Sequence, residues 1–192
     1  GKSGSGKSTA IKKILNSNVI NKNKKIVYIT PVSVSSDLYK FNYKAKDVEG
    51  IMSGFDKIEN GESFLIEIAN EKILNVVFLQ CMLRKNFTII ADDIDGYISK
   101  NNQRIIHLLT YHRHKSISLV YITRRPQNLP NLLLTNTHTS IVFKFTDPIT
   151  LDVISKSFPN DNGNTKEIIS NLDYTLYQCY IYSQNFNQIG VF

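Results

Sequence analysis

The sequence contains little cysteine and no long apolar run. Its two cysteines, Cys81 and Cys179, are far apart and each lies in an apolar stretch, so they lack metal-site spacing and fit a reducing compartment. The histidines form no metal set with them: His107, His112, His114 and His138. No apolar run reaches the roughly 20 residues that cross a membrane. Repeats, low-complexity tracts and linkers are also absent, so we expect residues 1–192 to form a single domain.

Apolar and basic residues are plentiful. Hydrophobic residues make up 42% of the chain and charged residues 20%, which is typical of a globular protein with a core. The formal net charge is +7, and such an excess suits a polyanionic partner such as nucleic acid. An AT-rich genome, which enriches Lys, Asn and Ile, is the alternative explanation.

The first nine residues, GKSGSGKST, match the phosphate-binding loop G-x-x-x-x-G-K-[ST]. Its glycines let backbone N–H groups turn inward, and the helix that follows presents its positive end to phosphates. The pattern predicts an ATP site formed by Gly1, Ser3, Gly4, Ser5, Gly6, Lys7, Ser8 and Thr9. Lys7 is expected to reach the β- and γ-phosphates, and Ser8 to supply a hydroxyl to Mg²⁺. The alternative is a flexible Gly/Ser linker, which the Lys-Ser pair and the helical pattern after it disfavour.

Such a loop normally follows a strand. Because the sequence begins at the first glycine of the motif, we expect the natural protein to extend further toward its N-terminus.

Short apolar runs alternate with helical patterns along the chain. Buried strands are predicted at residues 26–29, 87–91, 117–122 and 141–145. Helices are predicted after the loop to about residue 16–18 and at 101–112, 148–158 and 165–171. Residues 174–182 and 186–192 indicate an antiparallel finish at the sheet edge. This alternation predicts an α/β fold with a mainly parallel sheet flanked by helices.

Two segments are ambiguous. Residues 62–84 have helical spacing and fit one long helix, or two with a break near Asn70. Residues 32–62 are mixed and fit a short strand or a binding loop. Within them, aromatic residues alternate with lysines: Tyr39, Phe41 and Tyr43 beside Lys40, Lys44 and Lys46. These side chains fit nucleic-acid contacts, or an edge strand with one apolar face.

The strand predicted at 87–91 runs into two carboxylates, which is the form of a Walker B element. Asp92 is expected to hold Mg²⁺ opposite Ser8. Asp93 is expected to polarise the attacking water as general base, although Glu is usual at this position and Asp is shorter. Asp95 is an alternative acid. Because ligands of parallel sheets bind at the carboxyl ends of strands, we expect the loop, the acid pair and residues 123–125 to meet at one edge.

The segment HRHKSISLVYITRRP, residues 112–126, resembles the FtsK–HerA superfamily of ring-forming DNA translocases. In that superfamily a helix ends in an Arg-His pair, and the next strand closes on Thr-Gln-Arg-Pro. Asp147-Pro148 and the helix after it resemble a later part of the family. The likeness covers residues 1–158, and it is strongest to the genome-packaging ATPases of viruses and phages.

This resemblance implies further site residues. Thr123 and Arg124 fall where the family senses the γ-phosphate, although Arg124 replaces the usual Gln and a cation there could contact phosphate directly. Arg113 matches the arginine that is inserted into the neighbouring subunit's site, and Arg125 is the alternative. A solvated helix end is the other explanation for Arg113, and a structural contact before Pro126 for Arg125.

The function implied is an ATPase that translocates double-stranded DNA and packages a viral genome into a capsid. A homo-oligomeric ring, a hexamer or pentamer, is expected, with a capsid portal or vertex protein as a further partner. The expected location is the host cytoplasm or the virion, and the chain shows no membrane segment. The alternatives are a P-loop phosphotransferase, an assembly ATPase of the filamentous-phage export type, and a nucleotide-dependent binding module with little catalysis.

Overall fold

The computed structural model describes residues 7–16, 24–31, 39–99, 101–158, 164–183 and 186–191. The chain divides into two compact units, one of Lys12–Thr123 and one of Gly1–Ile11 with Arg124–Phe192. The expectation of a single domain over residues 1–192 stays a prediction. Within the described ranges, no helix combines the length and the apolar composition needed to cross a membrane.

The larger unit is built on a five-stranded parallel sheet. Its strands are β1 (Lys25–Thr30), β2 (Tyr43–Ala45), β3 (Ser63–Glu67), β4 (Phe87–Asp92) and β5 (Ser118–Ile122), in the order β2-β3-β1-β4-β5. Every pairing among them is parallel. The helices of this unit are α2 (Val48–Lys57), α3 (Glu71–Leu83) and α4 (Gln103–Tyr111), after α1 (Lys7–Asn16), which begins in the smaller unit. The predicted parallel α/β sheet is therefore confirmed.

The three central strands are buried on both faces, which explains why each reads as a continuous apolar run. Ile26–Ile29 of β1 and Phe64–Ile66 of β3 are at most 2% exposed. Each such side chain contributes about 1.5–3 kcal/mol by leaving water. These strands form a rigid platform, and their carboxyl ends lie along one edge.

The helical prediction for residues 62–84 is wrong in its first part. Ser63–Glu67 is strand β3, paired in parallel with β1. Phe64, Leu65 and Ile66 are buried whether the segment is a strand or a helix, so their burial does not reveal the period. The alternative of two helices with a break near Asn70 is correct in the position of the break only, because a strand and not a helix precedes it. Asn70 caps α3 by accepting a hydrogen bond from the Ile73 N–H at 3.0 Å.

Residues 32–62 contain a short strand, as one alternative predicted, and also the unpredicted helix α2. Asp47 caps this helix and accepts a hydrogen bond from the Gly50 N–H at 2.7 Å. Ile51 and Phe55 bury its apolar face. Gly50 and Gly54 lower the intrinsic helix propensity of the segment, which is why the pattern was not recognised.

The smaller unit contains a three-stranded antiparallel sheet of β6 (Thr139–Phe143), β7 (Gln178–Ser183) and β8 (Phe186–Val191). Its other helices are α5 (Asn131–Thr135), α6 (Pro148–Lys156) and α7 (Thr165–Asn171). Phe158 and Tyr182 stack at 4.2 Å in its core, and Ala10 of α1 packs with Phe143 and Cys179. The predicted antiparallel strands near the C-terminus are confirmed, but their expected place at the edge of the parallel sheet is wrong, because they form a sheet of their own. The strand predicted at 141–145 belongs to this second sheet as β6, which begins two residues earlier.

Candidate active site

The acid pair and Thr123 lie at the same edge of the parallel sheet. In the register of β4 and β5, Asp92 lies opposite Ile122. The Asp93 N–H then donates to the carbonyl of Ile122 at 2.9 Å, which ties the two strand ends together. Thr123, the next residue, is therefore a neighbour of the acid pair, as expected from the sequence.

The phosphate-loop motif and the two arginines after Thr123 belong to the smaller unit. Residues 1–6 lie outside the described residues, as do the side chains of Lys7 and Ser8, although Lys7 is the first residue of α1 as the motif predicts. Thr9 is exposed. Arg124 and Arg125 are exposed residues that open the smaller unit, followed by the buried Pro126. The convergence of these segments with the acid pair stays a prediction.

Asp92 is held by a buried tyrosine. The hydroxyl of Tyr28 on β1 donates a hydrogen bond to Oδ2 of Asp92 at 2.7 Å. Burial raises the pKa of Tyr28, and the neighbouring charge of Asp92 raises it further. The phenol therefore stays protonated and acts only as a donor toward the carboxylate.

Asp93 adopts a left-handed backbone conformation, with φ 51° and ψ 32°. Aspartate tolerates this region better than most residues, at a cost of about 1 kcal/mol. The chain turns there into a 3₁₀ turn, Ile94–Gly96, and the Asp93 side chain is half-buried. The alternative acid, Asp95, lies in that turn and its charge raises the pKa of Tyr121, after the larger effect of burial.

The acid pair suits Mg²⁺. This hard cation takes oxygen ligands and is usually bound by one or two carboxylates together with the phosphates of a nucleotide. Asp92 is a half-buried carboxylate fixed by a hydrogen bond, which is the donor chemistry required. Among the described residues, no cluster of three or more His, Cys, Asp or Glu forms an all-protein metal site. The donor set therefore fits a metal shared with a phosphate ligand.

Arg113 lies at the opposite edge of the sheet. It is exposed on the loop between α4 and β5. In that loop the Lys115 carbonyl accepts a hydrogen bond at 2.9 Å from the N–H of Asn86, the residue before β4. The six residues of β4 span about 17 Å at roughly 3.3 Å per step. Arg113 is thus beyond reach of Asp93 in its own chain.

The aromatic segment before α2 is engaged in packing. The ring of Phe41 lies 5.6 Å from that of Tyr28 and 5.2 Å from that of Tyr39. Tyr43, on the edge strand β2, meets Phe64 edge-on at 6.5 Å. Lys40, Lys44 and Lys46 are exposed. This geometry favours the alternative of an edge strand with one apolar face, and it leaves the lysines open to solvent.

Sequence reasoning missed Tyr28, which it treated only as part of a buried strand. A tyrosine inside a run of β-branched residues needs a partner for its hydroxyl, and this was the available signal. The partner follows from the register, because Tyr28 lies opposite Ile90, two residues before Asp92 and on the same face.

A parallel sheet with an acid pair at the carboxyl end of β4, in a chain with a phosphate-loop motif ahead of α1, defines a P-loop NTPase. The family model described as Poxvirus A32 protein matches residues 1–179. The chain therefore belongs to the Poxvirus A32 protein family, a family of viral genome-packaging ATPases, and the resemblance seen in the sequence is confirmed.

Solved structures share this fold. The genome packaging NTPase B204 from Sulfolobus turreted icosahedral virus 2 in complex with sulfate is 20% identical, with a TM-score of 0.74 over 100% of this chain and 92% of that chain. The same protein in complex with ATP-gammaS is 21% identical, with a TM-score of 0.67 and the same coverage. B204, the DNA-packaging ATPase from Sulfolobus Turreted Icosahedral Virus, is 20% identical, with a TM-score of 0.68 over 100% of this chain and 93% of that chain. No curated protein sequence matches the chain.

Proposed function

We propose that this chain hydrolyses ATP to translocate double-stranded DNA and thereby loads a viral genome into a capsid. The observation that carries the proposal is the acid pair Asp92-Asp93, fixed at the carboxyl edge of the sheet beside Thr123. Membership of the A32 family and the likeness to B204, named as a DNA-packaging ATPase, support the same activity.

The binding step is assigned to the phosphate loop. Backbone N–H groups of residues 1–9 cradle the phosphates, and Lys7 neutralises charge on the β- and γ-phosphates. The Ser8 hydroxyl and the Asp92 carboxylate hold Mg²⁺ between them. Held by these two residues, Mg²⁺ would supply positive charge that stabilises the phosphate oxygens during hydrolysis.

The chemical step is assigned to Asp93. Its half-buried carboxylate accepts the proton of the attacking water, or orients that water toward the γ-phosphate. Thr123 follows β5 next to the acid pair, and this position supports a role for its hydroxyl in sensing the phosphate. Arg124, directly after Thr123, supplies a cation toward the same phosphate.

The site is completed by a second subunit. Arg113 is exposed at the amino edge of the sheet, beyond reach of the acid pair in its own chain. A head-to-tail ring of five or six copies brings different surfaces of neighbouring subunits together, and we assign the amino edge of one subunit to face the carboxyl edge of the next. Arg113 then stabilises transition-state charge in the neighbouring site.

Ring assembly also places the chain on its substrate and its partner. Basic residues at the pore hold the phosphates of duplex DNA without reading sequence, which suits the net charge of +7. We assign a capsid portal or vertex protein as a further partner and the site of virion assembly in the host cell as the location. The B204 structure, named as a genome packaging NTPase, supports the packaging role.

The test is ATP turnover measured with and without duplex DNA, and with a panel of nucleoside monophosphates as acceptors. Lys7→Ala is the control for activity that does not belong to this site. Stimulation by duplex DNA, absent in the variant, is the expected result. Turnover that requires a small acceptor, with phosphate appearing on it, identifies a phosphotransferase and rejects the proposal.

A further inference from the structure

The contact between Tyr28 and Asp92 joins two neighbouring strands, β1 and the end of β4. Tyr28 has no exposed surface and lies in the middle of a core strand. Its neighbours Val27 and Ile29 are equally buried and entirely apolar. Packing alone would be served there by phenylalanine, whereas a buried hydroxyl costs free energy unless it finds a partner.

The partner it finds is the carboxylate assigned to the metal. The hydroxyl donates to Asp92 Oδ2 at 2.7 Å, a distance typical of a bond to a charged acceptor. Such bonds are stronger than neutral ones, and this one restricts the orientation of the carboxylate. One oxygen of Asp92 is thereby engaged by a buried donor at the edge of the sheet.

The tyrosine ring is itself supported from the side. Phe41 packs against it at 5.6 Å, and Tyr39 packs against Phe41 at 5.2 Å. These ring contacts restrict the movement of the Tyr28 side chain and so help to keep its hydroxyl directed at Asp92. Groups that orient a metal ligand through a hydrogen bond usually matter nearly as much as the ligand itself.

We propose that Tyr28 is a positioning residue that orients the Asp92 carboxylate for the metal of the nucleotide complex. This inference rests on the role assigned to Asp92 in the proposed function. It adds a residue from the strand next to the acid pair, and it makes the aromatic segment at residues 39–41 part of the support for the site.

The test is the affinity for Mn²⁺, used as a paramagnetic substitute for Mg²⁺, measured by electron spin resonance with a non-hydrolysable ATP analogue. Tyr28→Phe keeps the ring and removes only the donor. We expect its affinity for Mn²⁺ to fall about 10–100-fold, in the range found when partners of metal ligands are removed. Binding of the analogue in EDTA is expected to stay unchanged, and kcat to recover in part at saturating Mg²⁺.

Tyr121→Phe is the matched control. Tyr121 lies on β5 opposite Ala91, on the face away from Asp92, and among the described residues its buried hydroxyl has no hydrogen-bond partner. This variant is expected to bind Mn²⁺ like the wild type. In an Asp92→Asn background, Tyr28→Phe is expected to cause no further loss, because the two residues act through one interaction.

Wild-type Mn²⁺ affinity in folded Tyr28→Phe overturns the proposal, as does an equal loss of analogue binding in EDTA, which indicates a merely structural role. If Tyr28→Phe does not fold, Phe41→Leu is tested in its place. We expect this variant to lose less Mn²⁺ affinity than Tyr28→Phe, and an unchanged affinity would count against the proposal. Mn²⁺ binding does not require turnover, so the role of Tyr28 can be measured even if the protein shows no DNA-dependent hydrolysis. Normal binding in Asp92→Asn rejects both the metal role of Asp92 and this inference.

Discussion

The backbone N–H of Asp93 donates a hydrogen bond of 2.9 Å to the carbonyl of Ile122. This contact extends the pairing of β4 and β5 by one residue beyond the last strand position of β4. It also holds Asp93 in its left-handed conformation at the edge where Thr123 begins the next loop. The second acid is thus placed by the sheet itself and not by a free loop.

Replacement of Asp93 by asparagine is expected to lower ATP hydrolysis about 10²–10⁴-fold, the usual contribution of a general base. Asparagine is the appropriate change, because it tolerates the φ of 51° that alanine would adopt only with strain. Steady-state turnover and nucleotide affinity should be measured together, with affinity retained. Asp95→Asn is the control. If hydrolysis is lost in Asp95→Asn but kept in Asp93→Asn, the general base is Asp95 and not Asp93.

Replacement of Arg113 by alanine is expected to lower hydrolysis about 10³–10⁵-fold, the range measured for arginines supplied in trans. Mixing Arg113→Ala subunits with Asp93→Asn subunits should restore part of the activity, since some interfaces then combine an intact acid with an intact arginine. Turnover as a function of mixing ratio is the measurement. Lys115→Ala, on the same loop, is the control, and a mixture with no more activity than its parts argues against a shared site.

Substitution of Gly54 by alanine is expected to destabilise the protein by about 1–3 kcal/mol, a typical cost of overpacking. An added Cβ would lie 2.6 Å from Cε1 of Phe64. That ring is fully buried and packed edge-on against Phe55 at 5.6 Å, so it cannot move aside. Urea unfolding measures the effect. Gly96→Ala, where no atom lies within 4 Å of the added Cβ, should be close to neutral, and equal effects of the two changes would refute the packing argument.

The stability of the smaller unit is expected to depend on pH through Asp152. This carboxylate lies 2.6 Å from Nζ of Lys156 and 2.8 Å from Nζ of Lys166, which joins α6 to α7. Hydrogen bonds from Lys156 and then Lys166 lower the pKa of Asp152 to about 2. Because the folded pKa lies below the unfolded value of about 3.9, the stabilisation is present above pH 4 and is lost as the pH falls toward 2.

Thermal unfolding of wild type and Asp152→Asn from pH 2 to pH 7 checks this point. The variant should be less stable at pH 7 and equal to the wild type at the acid end. High salt should narrow the gap at pH 7, since the group is exposed. A gap that is the same at every pH would show that the effect does not come from the charge.

The fold could be predicted where strands and helices follow simple patterns. The runs at 26–29 and 87–91 are buried on both faces of the sheet, and their β-branched residues and flanking turns separate them from helices. Residues 63–67 lack such a boundary, because Leu65 and Ile68 continue into the apolar spacing of α3. Only the pairing of Phe64 with Val27 decides that this segment is a strand.

In the candidate site, too, the features that are local in sequence could be predicted, and the contact that depends on strand register could not. The motif and the acid pair are local in sequence, so the chemistry proposed for Lys7, Asp92 and Asp93 follows from residue type and spacing. The contact between Tyr28 and Asp92 joins residues that are 64 positions apart in the sequence. It depends on the register of β1 and β4, which the sequence pattern does not specify. The opposite placement of Arg113 and Asp93, by contrast, follows from the sequence once the strands are taken as parallel, because Arg113 precedes β5 and Asp93 follows β4.

Triplex displacement tests the central claim most directly. A third strand bound to duplex DNA is released only when a motor moves along the duplex, so its release reports translocation and not hydrolysis alone. The account predicts ATP-dependent release by the wild type and none by Asp93→Asn. ATP hydrolysis by an assembled wild-type protein that leaves the third strand in place would contradict it.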